Sequence, residues 1–403
     1  MKFQLLHRAG VAALVAALSL AGLPASAQNG PPPGQADTRA EAPAKGRLNF
    51  WGPSEQLRYY KAMETVFPTH VIKAGDKVHP LPVDANPLKV SFSHKSRPYT
   101  LEDFQDISRA SGLLVIHKGR IVLERYAHGR GPNDRWTSFS IAKSVTSTLL
   151  GAAIRDGAIK SLDDPVSRYV PELKGGAFEG VTLRHLATMT SGVRFTEDYG
   201  DPSSDFSRFT TGTGPSFFQL MSNMPREHAA GAHYHYSTAD SNLLGAAVQR
   251  ATGKSLSDYL SEKIWKPFGM EQDGVWMVSD EGMETGGICF SATLRDYGRF
   301  GLFILNGGVA GGKEVLPKGF LQEATTKRVG TSYPGLDYGY QWWVRQGGVY
   351  QGIGIMGQSL YVVPEQELII VQQSAWTTSG SADDYALQAS FVEGVREAIR
   401  RRG

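Results

Sequence analysis

The amino-acid sequence predicts an α+β fold in which an antiparallel sheet is flanked by helices and carries a mainly helical insertion. Runs of apolar and β-branched residues form two clusters, at about residues 110–128 and 338–374. Helical periodicity dominates between the clusters, at about residues 138–300, and returns near the C-terminal end. We therefore predict one globular domain over residues 47–403.

The first cluster predicts a β-hairpin. Its apolar runs, 112–117 and 120–126, are separated by Lys118-Gly119, a pair typical of a tight antiparallel turn. The second cluster predicts further strands that are separated by turn residues such as Pro364-Glu365. These strands are expected at residues 338–344, 349–352, 359–363 and 368–372.

Helices within the insertion are predicted from apolar residues that recur every three or four positions. Such stripes occur at residues 141–149, 243–252 and 256–264. The last two are expected to end at Gly253 and Pro267, because glycine and proline interrupt helices.

The two ends of the predicted domain differ in character. Residues 47–109 are irregular and contain several prolines, so we expect an ordered extension that lies over the core. At the other end a helix is predicted to open at Ser381 and to pack one apolar face against a sheet. That face is formed by Leu387, Phe391, Val395 and Ile399.

The N-terminus predicts an export signal at residues 1–27. Basic residues precede an apolar run over 9–23, and the small residues at 25–27 match a signal-peptidase site. The run is shorter than the roughly 18 to 20 residues that span a bilayer, although an uncleaved anchor is the alternative. We expect cleavage, no stable membrane insertion afterwards, and a periplasmic or secreted protein. Residues 28–46, rich in Pro, Gly and Ala, are expected to form a disordered tether.

The overall charge argues against a nucleic-acid partner. The formal net charge of +3 arises from 42 Lys and Arg and 39 Asp and Glu residues, without a basic block. The only cysteine, Cys289, lies in an apolar segment. An intrachain disulfide is therefore impossible, and a buried, unreactive thiol is expected.

Two further patterns suggest ligands but favour structural roles. His233 and His235 alternate along the chain without a carboxylate partner nearby, so no metal is expected. Residues 352–357 fit Gly-x-Gly-x-x-Gly, but a dinucleotide site needs a following helix, and here a strand is predicted. No cofactor is expected.

Ser140 and Lys143 are the candidate nucleophile and base. On a helix, their three-residue spacing places the hydroxyl and the amine on the same face. A lysine can remove the serine proton if burial lowers its pKa toward neutrality. Thr137 or Ser138 is expected to cap the helix, so that Ser140 lies in the first turn, where backbone N–H groups favour negative charge. The same spacing also arises by chance on ordinary surface helices.

Ordered motifs follow this pair along the chain. They are Leu162-Asp163-Asp164-Pro165-Val166, Tyr169-Val170-Pro171-Glu172-Leu173, Thr182-Leu183-Arg184-His185-Leu186, Tyr236-Ser237-Thr238, Lys266-Pro267-Phe268-Gly269-Met270 and Tyr338-Gly339-Tyr340-Gln341-Trp342-Trp343. Together they resemble the serine β-lactamase and class C-like esterase family over roughly Gly112 to Ser374. The resemblance implies a β-lactamase/D,D-peptidase-like fold.

The resemblance implies roles for individual residues. In this family a tyrosine approaches the Ser/Lys pair and relays the proton, and Tyr236 stands at the matching position. Thr238 stands where the family often has Asn and is expected to contact substrate. Residues 195–202 are similar to a substrate-side loop of the 6-aminohexanoate-dimer hydrolases and their esterase relatives, which implies a substrate contact for Tyr199.

The third family motif falls at residues 354–358 and departs from the usual pattern. Ile355 stands where the family has a basic residue that commonly binds a substrate carboxylate. Penicillin and peptidoglycan substrates are therefore disfavoured. The resemblance implies an oxyanion hole from the backbone N–H groups of Ser140 and Ile355, and a substrate contact at Gly357.

The sequence therefore predicts a serine hydrolase that cleaves amide or ester bonds of small linear substrates through an acyl-enzyme on Ser140. One alternative is a D,D-peptidase or β-lactamase of the cell envelope. The other is a non-catalytic binding module with the same fold. The predicted partner is a small-molecule amide or ester, and the sequence leaves the oligomeric state open.

Overall fold

The computed structural model describes residues 48–210, 216–279 and 281–402. The predicted signal peptide at 1–27 and the predicted tether at 28–46 lie outside the described residues. Within the described ranges, no helix is both long and apolar enough to cross a membrane.

The strands fall mainly before Ile141 and after Ala324, whereas most helices lie between these two residues. The strands are β1 (Thr69–Ile72), β2 (Phe92–His94), β3 (Arg97–Tyr99), β4 (Ala110–His117), β5 (Arg120–Tyr126), β6 (Arg135–Thr137), β7 (Gly274–Met277), β8 (Phe290–Thr293), β9 (Val309–Ala310), β10 (Lys313–Glu314), β11 (Val329–Gly330), β12 (Asp337–Tyr338), β13 (Trp343–Val344), β14 (Tyr350–Gly354), β15 (Gln358–Val363) and β16 (Leu368–Ser374). The α-helices are α1 (Pro53–Tyr59), α2 (Leu101–Ile107), α3 (Ile141–Arg155), α4 (Leu183–Ala187), α5 (Asp205–Thr210), α6 (Phe217–Ser222), α7 (Thr238–Thr252), α8 (Leu256–Leu260), α9 (Lys266–Phe268), α10 (Leu294–Leu305), α11 (Phe320–Ala324) and α12 (Ala382–Arg402).

The main sheet is antiparallel and has eight strands in the order β11-β12-β13-β14-β15-β16-β4-β5. β4 and β5 form the predicted hairpin, with His117 opposite Arg120 across the turn. β16 pairs with β4, so that Leu368 lies opposite His117 and the two strand clusters, distant in sequence, join in one sheet. The predicted antiparallel sheet flanked by helices is confirmed.

Helices cover both faces of this sheet. The predicted apolar face of α12 is buried with Val115 and Ile370 of the sheet, in one hydrophobic cluster. On the opposite face α10 approaches closely, since a Cβ built on Gly301 would lie 2.7 Å from the Ile369 Cγ2 atom. The apolar stripe of α3, at residues 141–149, is also completely buried.

The predicted strand at 338–344 is wrong, because the chain leaves the ladder between β12 and β13. Gln341 has a φ of +61° and donates from its backbone N–H to the Ala187 carbonyl, at 2.9 Å. Its side-chain amide donates to the Leu186 carbonyl at 2.9 Å. These bonds to α4 replace the ladder bonds that a continuous strand would make.

The end predicted for the last insertion helix is also displaced. Pro267 lies inside α9 at one of its first positions, where a proline costs no hydrogen bond. Gly269, with a φ of +90°, ends the helix instead. By contrast, Gly253 follows α7 in the left-handed conformation, as predicted.

A second sheet, of four strands in the order β1-β7-β8-β6, is absent from the sequence prediction. β7 and β8 lie inside the segment predicted as mainly helical, and β1 belongs to the extension at 47–109. That extension adds more than a strand, because Trp51 and Tyr60 are buried in the main hydrophobic core.

Gly354 at the end of β14 allows the sheet to approach the start of α3. A Cβ built on Gly354 would lie 2.3 Å from the Ser138 carbonyl oxygen and 3.0 Å from the Phe139 Cβ. Contacts below about 3 Å are shorter than carbon and oxygen atoms tolerate, so only glycine fits here without backbone movement.

Replacing Gly354 by alanine should lower the free energy of unfolding by about 1–3 kcal/mol, because the new methyl group forces β14 away from α3. Chemical denaturation followed by fluorescence measures this loss. Gly330→Ala is the matched control, since its Cβ would meet atoms no closer than 3.9 Å. Equal stability of the two variants would contradict the argument.

Candidate active site

Ser140 immediately precedes helix α3 and is 7% exposed. The predicted capping of this helix by Thr137 or Ser138 is wrong. Thr137 ends strand β6, and the Ser138 hydroxyl accepts from the Phe290 backbone N–H at 3.1 Å. Ser140 itself occupies the N-cap position without a capping bond from its side chain, which leaves the hydroxyl available for other partners.

Phe139, the residue before Ser140, has a φ of +43°. Non-glycine residues rarely adopt this conformation, and those that do are enriched at functional sites because the surrounding structure must hold them there. Phe139 is held by burial and by an edge-to-face contact with Tyr60, whose ring centroid lies 5.2 Å away. The sharp turn brings Ser140 to the start of α3 with its side chain toward Lys143.

The Lys143 amine is enclosed by oxygen atoms. Its Nζ atom lies 2.9 Å from each of three hydrogen-bond partners, the Ser140 Oγ, the Thr238 Oγ1 and the Gly287 carbonyl oxygen. Burial lowers the pKa of Lys143 to about 8, while the charge of Glu197 raises it. The amine can therefore lose a proton near neutral pH and then accept one from Ser140.

Tyr236 completes the predicted trio. Its ring centroid lies 4.9 Å from the Lys143 Nζ atom, and its ring stacks on Trp343 with centroids 5.5 Å apart. Burial raises the pKa of Tyr236 well above its ordinary value, whereas interaction with the Ser140 hydroxyl lowers it. Tyr236 is therefore protonated near neutral pH and can donate a proton.

Ile355 lies in the turn that joins β14 to β15. Its neighbour Gly354 packs against the backbone of Ser138 and Phe139, so the turn passes beside the start of α3. The Ile355 side chain is 8% exposed and carries no charge. The backbone of this turn is the part of the motif that lies near Ser140.

A cavity of about 230 Å³ lies beside Tyr236. Tyr199 lines it, where a substrate contact was predicted. None of its described lining residues is a lysine or arginine, so this part of the site offers a substrate aromatic faces and one carboxylate. The lining residues are Glu197, Tyr199, Tyr234, His235, Tyr236, Ser332 and Tyr333.

Thr238 and Gly357, the other two predicted substrate contacts, are not among the described residues that line this cavity. Thr238 is completely buried, and its hydroxyl is bonded to Lys143 and Glu197. Gly357 has a φ of +87°, and a Cβ there would lie 2.6 Å from the Trp376 ring. The Thr238 hydroxyl thus links Lys143 to Glu197, and Gly357 packs against Trp376.

Glu197 is the functional candidate that the sequence prediction missed. Its carboxylate accepts from the Thr238 hydroxyl and backbone N–H, both at 2.6 Å, and from the Tyr199 hydroxyl at 2.7 Å. The available signal was its spacing from Tyr199, since residues two apart in an extended segment point to the same side.

The remaining candidate ligands have structural places. The His235 ring lies 2.9 Å from the Phe195 carbonyl oxygen, and the His233 ring packs on His228 with centroids 4.2 Å apart. Over the described ranges, no group of three or more His, Cys, Asp or Glu side chains could hold a metal. Cys289 is buried, and burial raises the pKa of its thiol to about 12.

Residues 101–392 match the family model described as Beta-lactamase, so the chain belongs to the β-lactamase family. It is similar to the 6-aminohexanoate-dimer hydrolase of Paenarthrobacter ureafaciens, with 28% identity over 391 residues that cover 91% of this chain and 98% of the relative. It is also 31% identical to Esterase EstB of Burkholderia gladioli over 178 residues, 41% of this chain and 43% of the relative.

Solved structures confirm the fold. A Bacillus anthracis protein provisionally assigned as a 6-aminohexanoate-dimer hydrolase superimposes with a TM-score of 0.81 at 22% identity, covering 91% of this chain and 99% of the other. A penicillin-binding protein from Bacillus halodurans has a TM-score of 0.58 at 19% identity, covering 73% and 99%. The chain is thus a β-lactamase-fold hydrolase related to a 6-aminohexanoate-dimer hydrolase and to esterases.

Asp240 is a buried carboxyl in the first turn of α7. Burial raises its pKa to about 8, whereas contacts with Ser191 and Ser237 lower it. Its Oδ2 atom has no hydrogen-bond partner among the described residues. The folded chain therefore holds this carboxyl protonated at neutral pH, whereas the unfolded chain ionises it near pH 4.

The Asp240→Asn variant should gain stability over the wild type as the pH rises from 4 to 8. Because the unfolded wild type releases this proton first, the wild-type free energy of unfolding falls across that range, and asparagine cannot ionise. The gain above pH 8 should be on the order of 5 kcal/mol relative to pH 4, because each unit of difference between the two pKa values is worth about 1.4 kcal/mol. Denaturation of both proteins at pH 5 and pH 8.5 tests this, and a pH-independent difference would refute it.

Proposed function

We propose that this chain is a serine hydrolase that cleaves amide or ester bonds of small linear substrates through an acyl-enzyme on Ser140. The observation that carries the proposal is the bond between the Ser140 hydroxyl and the buried Lys143 amine, whose pKa is lowered to about 8. A serine hydroxyl becomes a good nucleophile only when a neighbouring base takes its proton, and this amine is placed to do so.

The reaction begins with a neutral Lys143. The Ser140 oxygen attacks the substrate carbonyl while its proton passes to the Lys143 amine, and the backbone N–H groups of Ser140 and Ile355 stabilise the oxyanion. Tyr236 gives its phenolic proton to the leaving amine or alcohol and is reprotonated from Lys143. Water then attacks the acyl-enzyme by the reverse proton route and releases the acid. No cofactor takes part in this scheme.

The cavity beside Tyr236 supports a small, uncharged or amine-bearing substrate. Aromatic rings favour apolar chains, and Glu197, which also lines the cavity, offers no attraction for a carboxylate. The related 6-aminohexanoate-dimer hydrolase supports linear amides, and the related esterase supports esters. Tyr199, which lines the cavity, is the proposed substrate contact.

The two other functions have less support. The Escherichia coli β-lactamase is 32% identical, but only over 130 residues, and Ile355 lacks the charge that would bind a substrate carboxylate. Burying the Lys143 amine beside Ser140 costs free energy. A non-catalytic binding module would gain nothing from this arrangement. The export signal expected at residues 1–27 would place the reaction in the periplasm or outside the cell.

A fluorophosphonate probe should form one adduct per wild-type chain, detected by intact-mass spectrometry, and none on the Ser140→Ala variant. Ser147→Ala is the matched control because this serine lies on the same helix and its hydroxyl has no hydrogen-bond partner among the described residues. The control should label like the wild type and hydrolyse p-nitrophenyl esters or a linear amide dimer. Adducts on Ser140→Ala would refute the assignment of the nucleophile.

The rate of this labelling should rise with pH and have its midpoint near pH 8. Lys143 must lose its proton to act as base, so the reactive fraction grows as the pH passes the pKa of its amine, about 8. Stopped-time labelling between pH 6 and pH 9.5 gives the profile. A rate that stays constant over this range would exclude Lys143 as the base.

A further inference from the structure

Glu197 reaches the catalytic lysine through one intervening side chain. The Lys143 amine donates to the Thr238 hydroxyl at 2.9 Å, and that hydroxyl donates to the Glu197 carboxylate at 2.6 Å. We propose that Glu197 is a positioning residue for the hydrolysis, which fixes Lys143 against Ser140 through Thr238 and supplies its counter-charge. This inference rests on the proposed function.

The Glu197 carboxylate determines which group donates and which accepts in each hydrogen bond between Glu197, Thr238 and Lys143. An ionised carboxylate only accepts hydrogen bonds, so the Thr238 hydroxyl must donate its single proton to the bond with Glu197. The Thr238 oxygen can then only accept from Lys143, and the Gly287 carbonyl can only accept as well. The neutral Lys143 amine therefore directs its two N–H bonds to Thr238 and Gly287. Its lone pair is left to face the Ser140 hydroxyl.

The position of Glu197 is determined by the start of helix α7. Thr238 is the first residue of α7, and its backbone N–H donates to the second carboxylate oxygen at 2.6 Å. A carboxylate is favoured at a helix N-terminus, and two bonds to one residue restrict its rotation. The Tyr199 hydroxyl is a third donor to Glu197, at 2.7 Å. Glu197 thus links Tyr199, which lines the cavity, to Thr238.

Among the described residues, the titratable groups near the Lys143 amine come from three separate segments. Glu197 lies in the loop before α5, Tyr236 lies before α7, and Cys289 lies before β8. Burial keeps the Cys289 thiol and the Tyr236 phenol protonated by raising the pKa of each. Glu197 is therefore the group that supplies a negative charge, and its charge raises the pKa of Lys143 against the effect of burial.

A purely structural role for Glu197 has a different consequence. If the residue only fastened its loop to α7, its loss would lower stability and leave the proton affinity of Lys143 unchanged. The positioning role requires that Lys143 lose its proton at lower pH when the charge is removed, because the ammonium then lacks its counter-charge. A fall in the pH at which Lys143 titrates therefore separates the positioning role from the structural role.

The test is the titration of Lys143, observed by NMR in the full chain labelled with [ε-¹³C]lysine and assigned by loss of its signal in Lys143→Arg. In Glu197→Gln the midpoint should fall by about one pH unit below the wild type. Glu197→Asp keeps the charge and should stay closer to the wild type. Asp198→Asn, an exposed acid of the same loop, is the matched control and should leave the midpoint unchanged.

Labelling of Ser140 by the fluorophosphonate gives a second readout, whose acid limb should move to lower pH in Glu197→Gln. If Glu197→Gln fails to fold, Thr238→Val cuts the link while leaving Glu197 in place, and it should lower the Lys143 midpoint as well. An unmoved midpoint in the folded variant, or an equal shift in Asp198→Asn, would overturn the role of Glu197. Absence of labelling in the wild type would instead overturn the hydrolase function.

Discussion

The burial of one amine is the constraint on which the arrangement of the site depends. Lys143 is 1% exposed, and a buried amine without hydrogen-bond partners would cost several kcal/mol. Helix α7 and the segment before β8 must therefore approach α3 closely enough to supply oxygen atoms. Gly287 permits this approach, since a Cβ there would lie 2.9 Å from the Thr238 side chain. Its backbone N–H donates to the Asn242 side chain, which fixes the carbonyl that faces Lys143.

The interruption between β12 and β13 serves the same site from the other side. Gln341 leaves the ladder and accepts from the Ser241 hydroxyl of α7 with its side-chain oxygen, at 2.7 Å. Beyond this turn Trp343 returns to the sheet and stacks on Tyr236. In a regular strand residues 341 and 343 would line the same face of the sheet. The break instead places the Gln341 side chain on α7 and the Trp343 ring on Tyr236.

Local patterns in the sequence were sufficient to predict the features that depend on residues close together in the chain. The hairpin of β4 and β5 follows from a two-residue turn, and Ser140 and Lys143 meet because three residues make nearly one helical turn. The second sheet was not predictable in this way, because β1 and β7 are four residues each and pair across some two hundred positions. Short strands carry too few residues to show a period.

The same limit explains what was missed at the site. Glu197 gains its place from Thr238, 41 positions away, and nothing in the intervening sequence signals that contact. Family resemblance located Tyr236 and the turn at Ile355, but it described Thr238 and Gly357 by position only. Their actual environments depend on packing against Lys143 and Trp376, which residue type does not encode.

The pairing of β16 with β4 has a consequence for when the protein becomes reactive. The strands that complete the main sheet lie in the last quarter of the chain, and β14, which carries the turn beside Ser140, is among them. Contacts between segments so distant in sequence form late, because closing a long loop costs entropy before the native contacts can compensate for that cost. A chain that is still being synthesised would already contain Ser140 and Lys143, the proposed nucleophile and base. It would lack the turn to which we assign oxyanion stabilisation, so the proposed activity would be absent until the C-terminal strands had joined the sheet.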